Sequence, residues 1–377
     1  MRRDHLPITG PAMIHVRDAH RDSNEPARPS VTIIVACRNE SRHIRTFLGS
    51  LSQQDMEGLD WEIVIADGMS DDGTRELLEE YSVRHPQLRI IDNPGRIVST
   101  GLNAAILAAQ GEIVIRMDGH TEYAANYVLE CVKALQQTGA DEVGGPARTR
   151  AERPLARAIA AGYHSRFSTG GARFHDPGYE GYVDTVPYGC WRKSTLERLG
   201  LFDESLVRNQ DDELNLRLTR SGGRIWQSPA MVAWYRPRAT LSTLFQQYFQ
   251  YGFWKVQVIR KHKIPASFRH LVPGVFVLTN VSLPIAAGVA LITGQWPLCS
   301  TLFRGWLLLT MAYVMACLIA SIFAARRHGV VTLLFLPVVF IVFHVSYGLG
   351  FVLGLLHRPK PQGQQFQFSG IFTDLTR

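Results

Sequence analysis

From Leu271 onward the sequence passes through three long apolar stretches nearly free of formal charge, roughly residues 271–294, 305–324 and 329–356. Each reaches the ~20 residues that a bilayer crossing requires, so lipid or other protein must cover this end of the chain. The region before it reads as an ordinary water-soluble domain, and a composition of 46% hydrophobic and 19% charged residues averages the two. The cut places a membrane domain at 265–357 with about three hydrophobic spans, followed by a polar tail at 358–377. Arg326, Arg327 and His328 fall on the side of the soluble domain, as the positive-inside rule prefers, whereas three full crossings put Arg358 and Lys360 on the other side. Pro337 and the glycines between 348 and 354 give the third segment a means to kink or re-enter where protein covers the freed backbone.

The first 29 residues are polar, hold Pro7, Pro11, Pro26 and Pro29, and contain no apolar run of signal-peptide type. They are expected to be a disordered tail, which leaves the soluble domain in the cytoplasm. The five cysteines form an odd set without a CxxC pair, in keeping with a reducing compartment and with neither a disulfide framework nor a zinc cluster. The formal charge of +7 includes Arg260, Lys261, His262 and Lys263 beside the apolar segments, where a basic run can meet anionic headgroups. Net charge alone speaks for nucleic acid, and no such partner is expected. Residues 240–264, LSTLFQQYFQYGFWK and its basic end, have the interleaved aromatic and polar character of an interfacial amphipathic helix, a core helix being the plainer alternative.

Between the tails, residues 31–36 (VTIIVA) and 61–66 (WEIVIA) are short β-branched runs with a helical pattern over 41–54 between them. The rhythm repeats with a helix near 74–85, a strand near 89–92, a helix near 99–110 and a strand at 112–117. Such alternation predicts an α/β domain over 30–239 with a mostly parallel sheet and ligands at the carboxyl ends of its strands. Beyond 141 the pattern loosens into Gly- and aromatic-rich sequence of the kind that binds substrate, before helices near 193–199 and from 211 and strands near 224–227 and 231–234.

Polar residues gather at the strand ends: Cys37, Arg38, Asn39 and Glu40 after the first, Asp67 and Gly68 after the second, Asn93 to Gly95 after the third, and Asp118 to His120 after the fourth. Any one cluster could be a helix cap or a turn; four on one rim suggest a site. Asp67 can accept a hydrogen bond from a base or ribose. Asp118 and His120, two apart at a strand end, can turn towards one ion, and carboxylate plus imidazole suits Mn²⁺ at least as well as Mg²⁺. Asn209 to Glu213 (NQDDE) precedes an amphipathic helix, where a carboxylate can cap the helix, serve catalysis, or both. After the first strand stands CRNES, with no G-x-G-x-x-G turn to admit a dinucleotide pyrophosphate.

The strings VTIIVACRNE, IADGMSDDGT, NPGRIVSTGLNAAILAAQGEIVIRMDGHTEY, VDTVPYGCWRK, LGLFDESLVRNQDDELNLRL and WYRPRATLSTLFQQYFQYGFWK resemble the family 2 glycosyltransferases of GT-A fold. More narrowly, they are similar to the membrane-bound glucosyltransferases of succinoglycan-type exopolysaccharide assembly, and HVSYGLGF at 344–351 extends the likeness. The resemblance implies a nucleotide-diphospho-sugar transferase domain followed by transmembrane helices. It implies inverting transfer of a hexose from a UDP-sugar or similar donor to a lipid-linked glycan acceptor, with a divalent cation, Mn²⁺ or Mg²⁺. The chain would then be a multi-pass protein of the bacterial inner membrane with its catalytic domain in the cytoplasm.

By position, the resemblance assigns Cys37, Arg38, Asn39, Glu40 and Asp67 to the donor, with Asn103 and Arg96 nearby. Asp118 and His120 replace the usual metal-binding Asp-x-Asp, and Asp211 falls at the catalytic base, with Gln210 where Glu is commoner. Asp212, expected to cap the helix or face solvent, joins Gln247, Tyr251 and Trp254 as candidates on the acceptor or helix side, and QYFQY at 247–251 only loosely matches the Gln-x-x-Arg-Trp of processive synthases. Two other readings remain: a processive polysaccharide synthase that exports its product, and an inactive nucleotide-sugar-binding scaffold.

Overall fold

The computed structural model describes residues 28–357, so the expected tails lie outside the described residues except for their inner edge at 28 and 29. Strand and helix alternate as the periodicity requires: β1 (Ser30–Cys37), α1 (Ile44–Ser52), β2 (Asp60–Asp67), α2 (Thr74–Arg84), β3 (Leu88–Asp92), α3 (Val98–Ala108) and β4 (Ile113–Met117). β1 lies parallel to β2 and β4, and β2 parallel to β3, with Cys37 level with Asp67 and Asp67 level with Asp92. Because the strands end in register, the polar residues that follow them fall on one rim.

The strands read as continuous apolar runs because both faces are covered. Ile33, Val35, Ile63 and Ile65 point into a core shared with α1 and α4 (Tyr127–Thr138), whereas Ile34, Ala36, Val64 and Ala66 point into one built with α3. The alternation is the period-2 geometry of a strand.

The chain then adds β5 (Thr121–Tyr123) before α4 and β6 (Glu142–Gly144) after it. The segment read as irregular contains two helices, α5 (Pro154–Tyr163) and α6 (Arg166–Thr169), before β7 (Gly181–Val183), β8 (Cys190–Arg192), α7 (Lys193–Leu199), α8 (Gln210–Arg220), β9 (Ile225–Gln227) and β10 (Ala233–Tyr235). The main sheet runs β3-β2-β1-β4-β8-β6-β9-β7, with β8 antiparallel to both β4 and β6, and β10 pairs with β5 in a separate ribbon.

Four long helices complete the described residues: α9 (Leu241–His262), α10 (Val272–Ile292), α11 (Trp296–His328) and α12 (Leu336–Leu356). The last three are long and apolar enough to cross a membrane. The third begins at Leu336 rather than at 329, because residues 330–334 form a 3₁₀ turn.

The expected interfacial helix is enclosed more fully than a headgroup-bound helix would be. Its residues Leu244, Gly252, Phe253, Trp254, Val256 and Val258 are buried in protein. α12 runs beside it in the same direction, Gly350 meeting Phe249 and Gly354 meeting Phe253 and Val256. The basic run is also spent on protein: Lys261 Nζ lies 2.6 Å from Asp203 and 2.8 Å from Glu213, His262 Nε2 lies 2.9 Å from Glu213, and Arg260 donates to the carbonyls of Leu355 and His357. Of the run expected at anionic lipid, three members of four are therefore internal ties.

Backbones this close tolerate only glycine: a Cβ on Gly350 would stand 1.9 Å from the Phe249 carbonyl oxygen, and one on Gly252 2.0 Å from that of Tyr347. Gly288 in α10 has open space around it. Gly350→Ala should therefore lower the thermal midpoint in detergent by the equivalent of about 1–3 kcal/mol, whereas Gly288→Ala should leave it unchanged or raise it. Equal effects at the two positions would show that the α9–α12 seam is not close-packed.

Candidate active site

At the rim, Asn39 takes a left-handed conformation (φ 55°) that an Asn tolerates, which turns the chain from β1 towards the loop after β2. Its amide donates to Asp71 Oδ1 at 2.8 Å and its carbonyl oxygen accepts from the Asp71 N–H at 3.0 Å. Asp67 accepts from the Ser70 hydroxyl at 2.6 Å and stands 3.7 Å from Arg75. Arg38 packs over Gly68, where a Cβ would come within 2.9 Å of its own Cβ, and Cys37 is buried behind them. Arg96 is exposed on the turn before α3.

Two expected donor residues have other work. Asn103 is buried in α3, where its amide donates to the Phe202 carbonyl and to Glu204, and its oxygen accepts from the Phe202 N–H, all at 2.9 Å. With both ends satisfied inside the protein it clamps the segment before α8 and offers nothing to a ligand. Glu40 is likewise buried and points towards His120, its Oε1 3.3 Å from Nδ1.

A cavity of about 430 Å³ opens between this sheet and α9, α10 and α12, and Asp118, His120, Asp211, Asp212, Gln247, Tyr251 and Lys255 all line it. Asp118 receives a two-pronged pair from Arg116, Nε to Oδ1 at 2.9 Å and Nη2 to Oδ2 at 3.1 Å. Arg116 keeps its charge despite burial because Asp118 and Asp211 face it. His120 Nδ1 is buried without a hydrogen bond. A carboxylate and, two residues on, an imidazole whose buried Nδ1 makes no hydrogen bond fit a divalent cation as half a site; among the described residues no group of three or more His, Cys, Asp or Glu converges as a metal cluster. Phosphate oxygens of a bound diphosphate would have to supply the remaining ligands, as is usual for Mg²⁺.

α8 brings the acids. Asn209, itself left-handed (φ 60°), turns the chain into the helix and donates from its amide to the Tyr251 carbonyl at 2.9 Å. Asp211 and Asp212 follow, and they differ in partner. Burial and the charge of Asp212 raise the pKa of Asp211, with Arg116 opposing in part. Burial would raise Asp212 as well, but Lys255, whose Nζ lies 2.6 Å from Oδ2, outweighs it with help from His270 and Arg269 and holds Asp212 low. Asp212 does not cap α8; with its side chain 31% exposed, it is the anion of a pair with Lys255. Glu213 is removed as a rival, since its fully buried carboxylate is engaged by Arg217, Lys261 and His262.

Gln247 donates to the Tyr251 hydroxyl at 3.0 Å, which places both on the α9 wall. Trp254 does not reach the cavity: it is 1% exposed and packs with Leu206, Val207, Leu216, Phe253 and Val258. Arg116, Lys255 and the far-wall residues Arg238, Arg269, His270 and Tyr347 join the site without having stood out in the sequence. Lys255 had a signal, a lone charge four residues after Tyr251 in an apolar and aromatic run, and so did Arg116, a charge inside the strand IVIRM.

Residues 32–183 match the model of the family described as Glycosyl transferase family 2. The succinoglycan biosynthesis protein ExoA of Rhizobium meliloti is 32% identical over 276 residues, which span 73% of this chain and 82% of that protein. A dolichyl N-acetyl-alpha-D-glucosaminyl phosphate 3-beta-D-2,3-diacetamido-2,3-dideoxy-beta-D-glucuronosyltransferase of Methanococcus voltae is 27% identical over 86% of this chain and 97% of its own. Among solved structures, the mannosyltransferase PcManGT from Pyrobaculum calidifontis, in complex with GDP-Man and Mn²⁺, superposes with a TM-score of 0.52 at 20% identity, over 85% of this chain and 87% of that one, a likeness of fold.

Beneath the cavity floor, Glu142 of β6 is 1% exposed, its Oε2 without a hydrogen-bond partner, and burial pushes its pKa up to about 8. A carboxyl held neutral in the fold but ionised in the unfolded chain favours folding less and less as pH rises from about 4.5 to about 8. Glu142→Gln should therefore gain thermal stability relative to the wild type between pH 5 and pH 8.5, the advantage growing by about 1.4 kcal/mol for each tenfold fall in proton concentration until it levels off. A difference that stays flat across that range would mean that Glu142 is ionised in the folded protein.

Proposed function

The chain belongs to glycosyl transferase family 2, and from that premise we propose that it transfers a hexose, with inversion, from a nucleotide-diphosphate sugar such as a UDP-sugar to a lipid-linked glycan. The observation that carries this reading is the convergence of Asp118, His120 and Asp211 on one cavity at the carboxyl ends of the strands. The M. voltae relative is named for transfer to a dolichyl-linked sugar phosphate, which supports an acceptor of lipid-linked class.

Asp211 is the base. Its raised pKa suits it to take the proton of an acceptor hydroxyl. The hydroxyl oxygen then attacks the anomeric carbon from the face opposite the diphosphate, the carbon–oxygen bond to the diphosphate breaks, and the nucleoside diphosphate leaves with the electron pair. Asp118 and His120 would hold Mn²⁺ or Mg²⁺, which supplies positive charge against the departing diphosphate. Asn39, Asp67 and their loop partners bind the nucleoside at the rim, and Arg116 fixes the Asp118 carboxylate in place.

In this reading the enzyme sits in a bacterial inner membrane with two crossings rather than three. α10 and α11 form a hairpin rooted on the catalytic side at both ends, by Arg269 Nη2 to Asp184 at 2.7 Å and by Arg157 to the His328 carbonyl at 3.0 Å. α12 leaves from that side and ends there too, since Arg260 of α9 grips its last carbonyls while Lys261 and His262 hold the catalytic domain. This removes the conflict of charge and side that three crossings create.

Incubated with radiolabelled nucleotide sugars and membranes carrying lipid-linked acceptors, the enzyme should pass label to lipid, and EDTA should stop it. Asp211→Asn should lower kcat by roughly 10²–10⁴-fold with donor binding unchanged, and should abolish an acid limb lying above the ordinary carboxylate range. Full activity of Asp211→Asn would move the base elsewhere. For topology, with Cys299 replaced by serine the other four cysteines are buried. A membrane-impermeant maleimide on spheroplasts should then label Gln295→Cys, and should label Leu356→Cys only after lysis. Labelling of Leu356→Cys before lysis would restore the third crossing.

A further inference from the structure

We propose that Glu40 is a positioning residue of the cation site: its buried carboxylate holds His120 by Nδ1, leaves Nε2 for the cation, and supplies through the imidazole the negative charge that a second aspartate would have carried. This rests on the reading of Asp118 and His120 as cation ligands given above, and adds the residue that stands behind them.

The sheet brings the two residues together. β1 and β4 are parallel neighbours, Val35 level with Met117. Glu40 stands three residues beyond the end of β1 and His120 three beyond the end of β4, so the loops that carry them leave the sheet side by side. Backbone hydrogen bonds fix Glu40: its N–H donates to the Thr74 hydroxyl at 2.7 Å, and its carbonyl accepts from the N–H groups of His43 and Ile44 at 2.8 Å each. The turn is thus made by the backbone and does not depend on the carboxylate. The side chain passes close to Gly119, the residue between the two ligands, where an added Cβ would stand 3.9 Å from Glu40 Cγ. It ends with Oε1 3.3 Å from His120 Nδ1, and is itself 1% exposed.

The two sides of the imidazole meet different surroundings. Nδ1 is shut away from solvent without a hydrogen bond, Glu40 being within reach but off the hydrogen-bond line, whereas the side chain as a whole is 27% exposed and lines the cavity. Tyr235 meets the ring edge to face, with centroids 6.0 Å apart. A neutral imidazole carries one proton, and with that proton on Nδ1, aimed at the carboxylate, the Nε2 lone pair is left for a cation. A carboxylate behind a ligating imidazole fixes its tautomer and orientation and makes it a stronger ligand.

Charge gives the arrangement its purpose. Arg116 engages both oxygens of Asp118, and the imidazole two residues on adds no charge of its own, so this ligand pair attracts a divalent cation less than two aspartates would. Glu40 restores one negative charge, one ring away, in a buried place where salt screens it little.

The full-length protein in detergent should be titrated with Mn²⁺ at saturating UDP, with free Mn²⁺ read by electron paramagnetic resonance. The number of ions bound at saturation counts folded protein, and the dissociation constant reports the site. Glu40→Ala should weaken Mn²⁺ binding by about 10–100-fold, as loss of the partner behind a metal-bound histidine does. Glu40→Gln keeps the shape and one acceptor oxygen, and should lose less, though at least threefold. In a His120→Asp background there is no ring to position, so Glu40→Gln should change Mn²⁺ affinity by less than twofold. Equal losses in the two backgrounds would show that Glu40 acts as a plain charge or through the fold, and the positioning role would fall. Unchanged Mn²⁺ affinity in Glu40→Ala would overturn it too, while leaving Asp118 and His120 as ligands. UDP affinity measured in EDTA should stay within twofold in every variant, and a fall there matching the fall in Mn²⁺ affinity would give Glu40 back to the nucleoside. A wild type that binds UDP but no Mn²⁺ would remove the cation from the reading above, and this inference with it.

Discussion

The ammonium of Lys255 meets the carboxylate of Asp212 at 2.6 Å where α9 passes the first turn of α8, and the ionisation of the cavity follows from that contact. Two adjacent enclosed carboxyls cannot both ionise without a counter-charge, since each raises the other. Lys255 settles which of them is the stronger acid. Asp212 takes the negative charge, and Asp211, left with burial and a charged neighbour, becomes the weaker acid and hence the better proton acceptor. Removing two charges from water is expensive, and the pair holds because the geometry is close and the surrounding cations reinforce it.

Lys255 belongs to the helix that carries the membrane part of the chain, so the electrostatics of the site depend on how that helix is docked. α9 is fixed to the catalytic domain along its length, by Gln247 to Tyr235, Asn209 to Tyr251, Lys255 to Asp212 and His262 to Glu213. α12 is fixed to α9 through backbone contact at Gly252, Gly350 and Gly354. The apolar segments are therefore more than an anchor. They build one wall of the cavity in which the candidate base sits.

Much of this is legible in the sequence. The βαβ rhythm, the strand ends and the residues on the rim follow from period and turn chemistry, and they depend on local sequence alone. Asn103 escapes such a reading because position along a motif says nothing about which partner satisfies an amide, and here Phe202 and Glu204, distant in sequence, do so. α5 escapes it because PLARAIAAGY sits in Gly-rich sequence and gains its stability from Ala158, Ile159 and Ala161 packing against α12, a tertiary contact. The basic run at 260–263 cannot be assigned to protein or lipid from charge, since both offer oxygen ligands.

The membrane segments show most clearly what composition omits. α10, α11 and α12 have nearly equal mean hydropathy, 2.1, 2.3 and 2.2, yet 17%, 11% and 44% of their apolar windows are buried inside the protein. Hydropathy measures the cost of leaving a segment in water and is indifferent to whether lipid or protein replaces it. Lipid accepts any apolar surface, whereas a neighbouring helix at backbone distance requires small residues at fixed spacing. α12 has them, Gly350 and Gly354 one turn apart facing α9 and Gly348 facing α10, while in α10 Gly274 packs on the ring of Phe351 and Gly288 meets nothing. The placing of glycine within an apolar segment, rather than its hydrophobicity, therefore separates the helix that closes the cavity from the two that leave it.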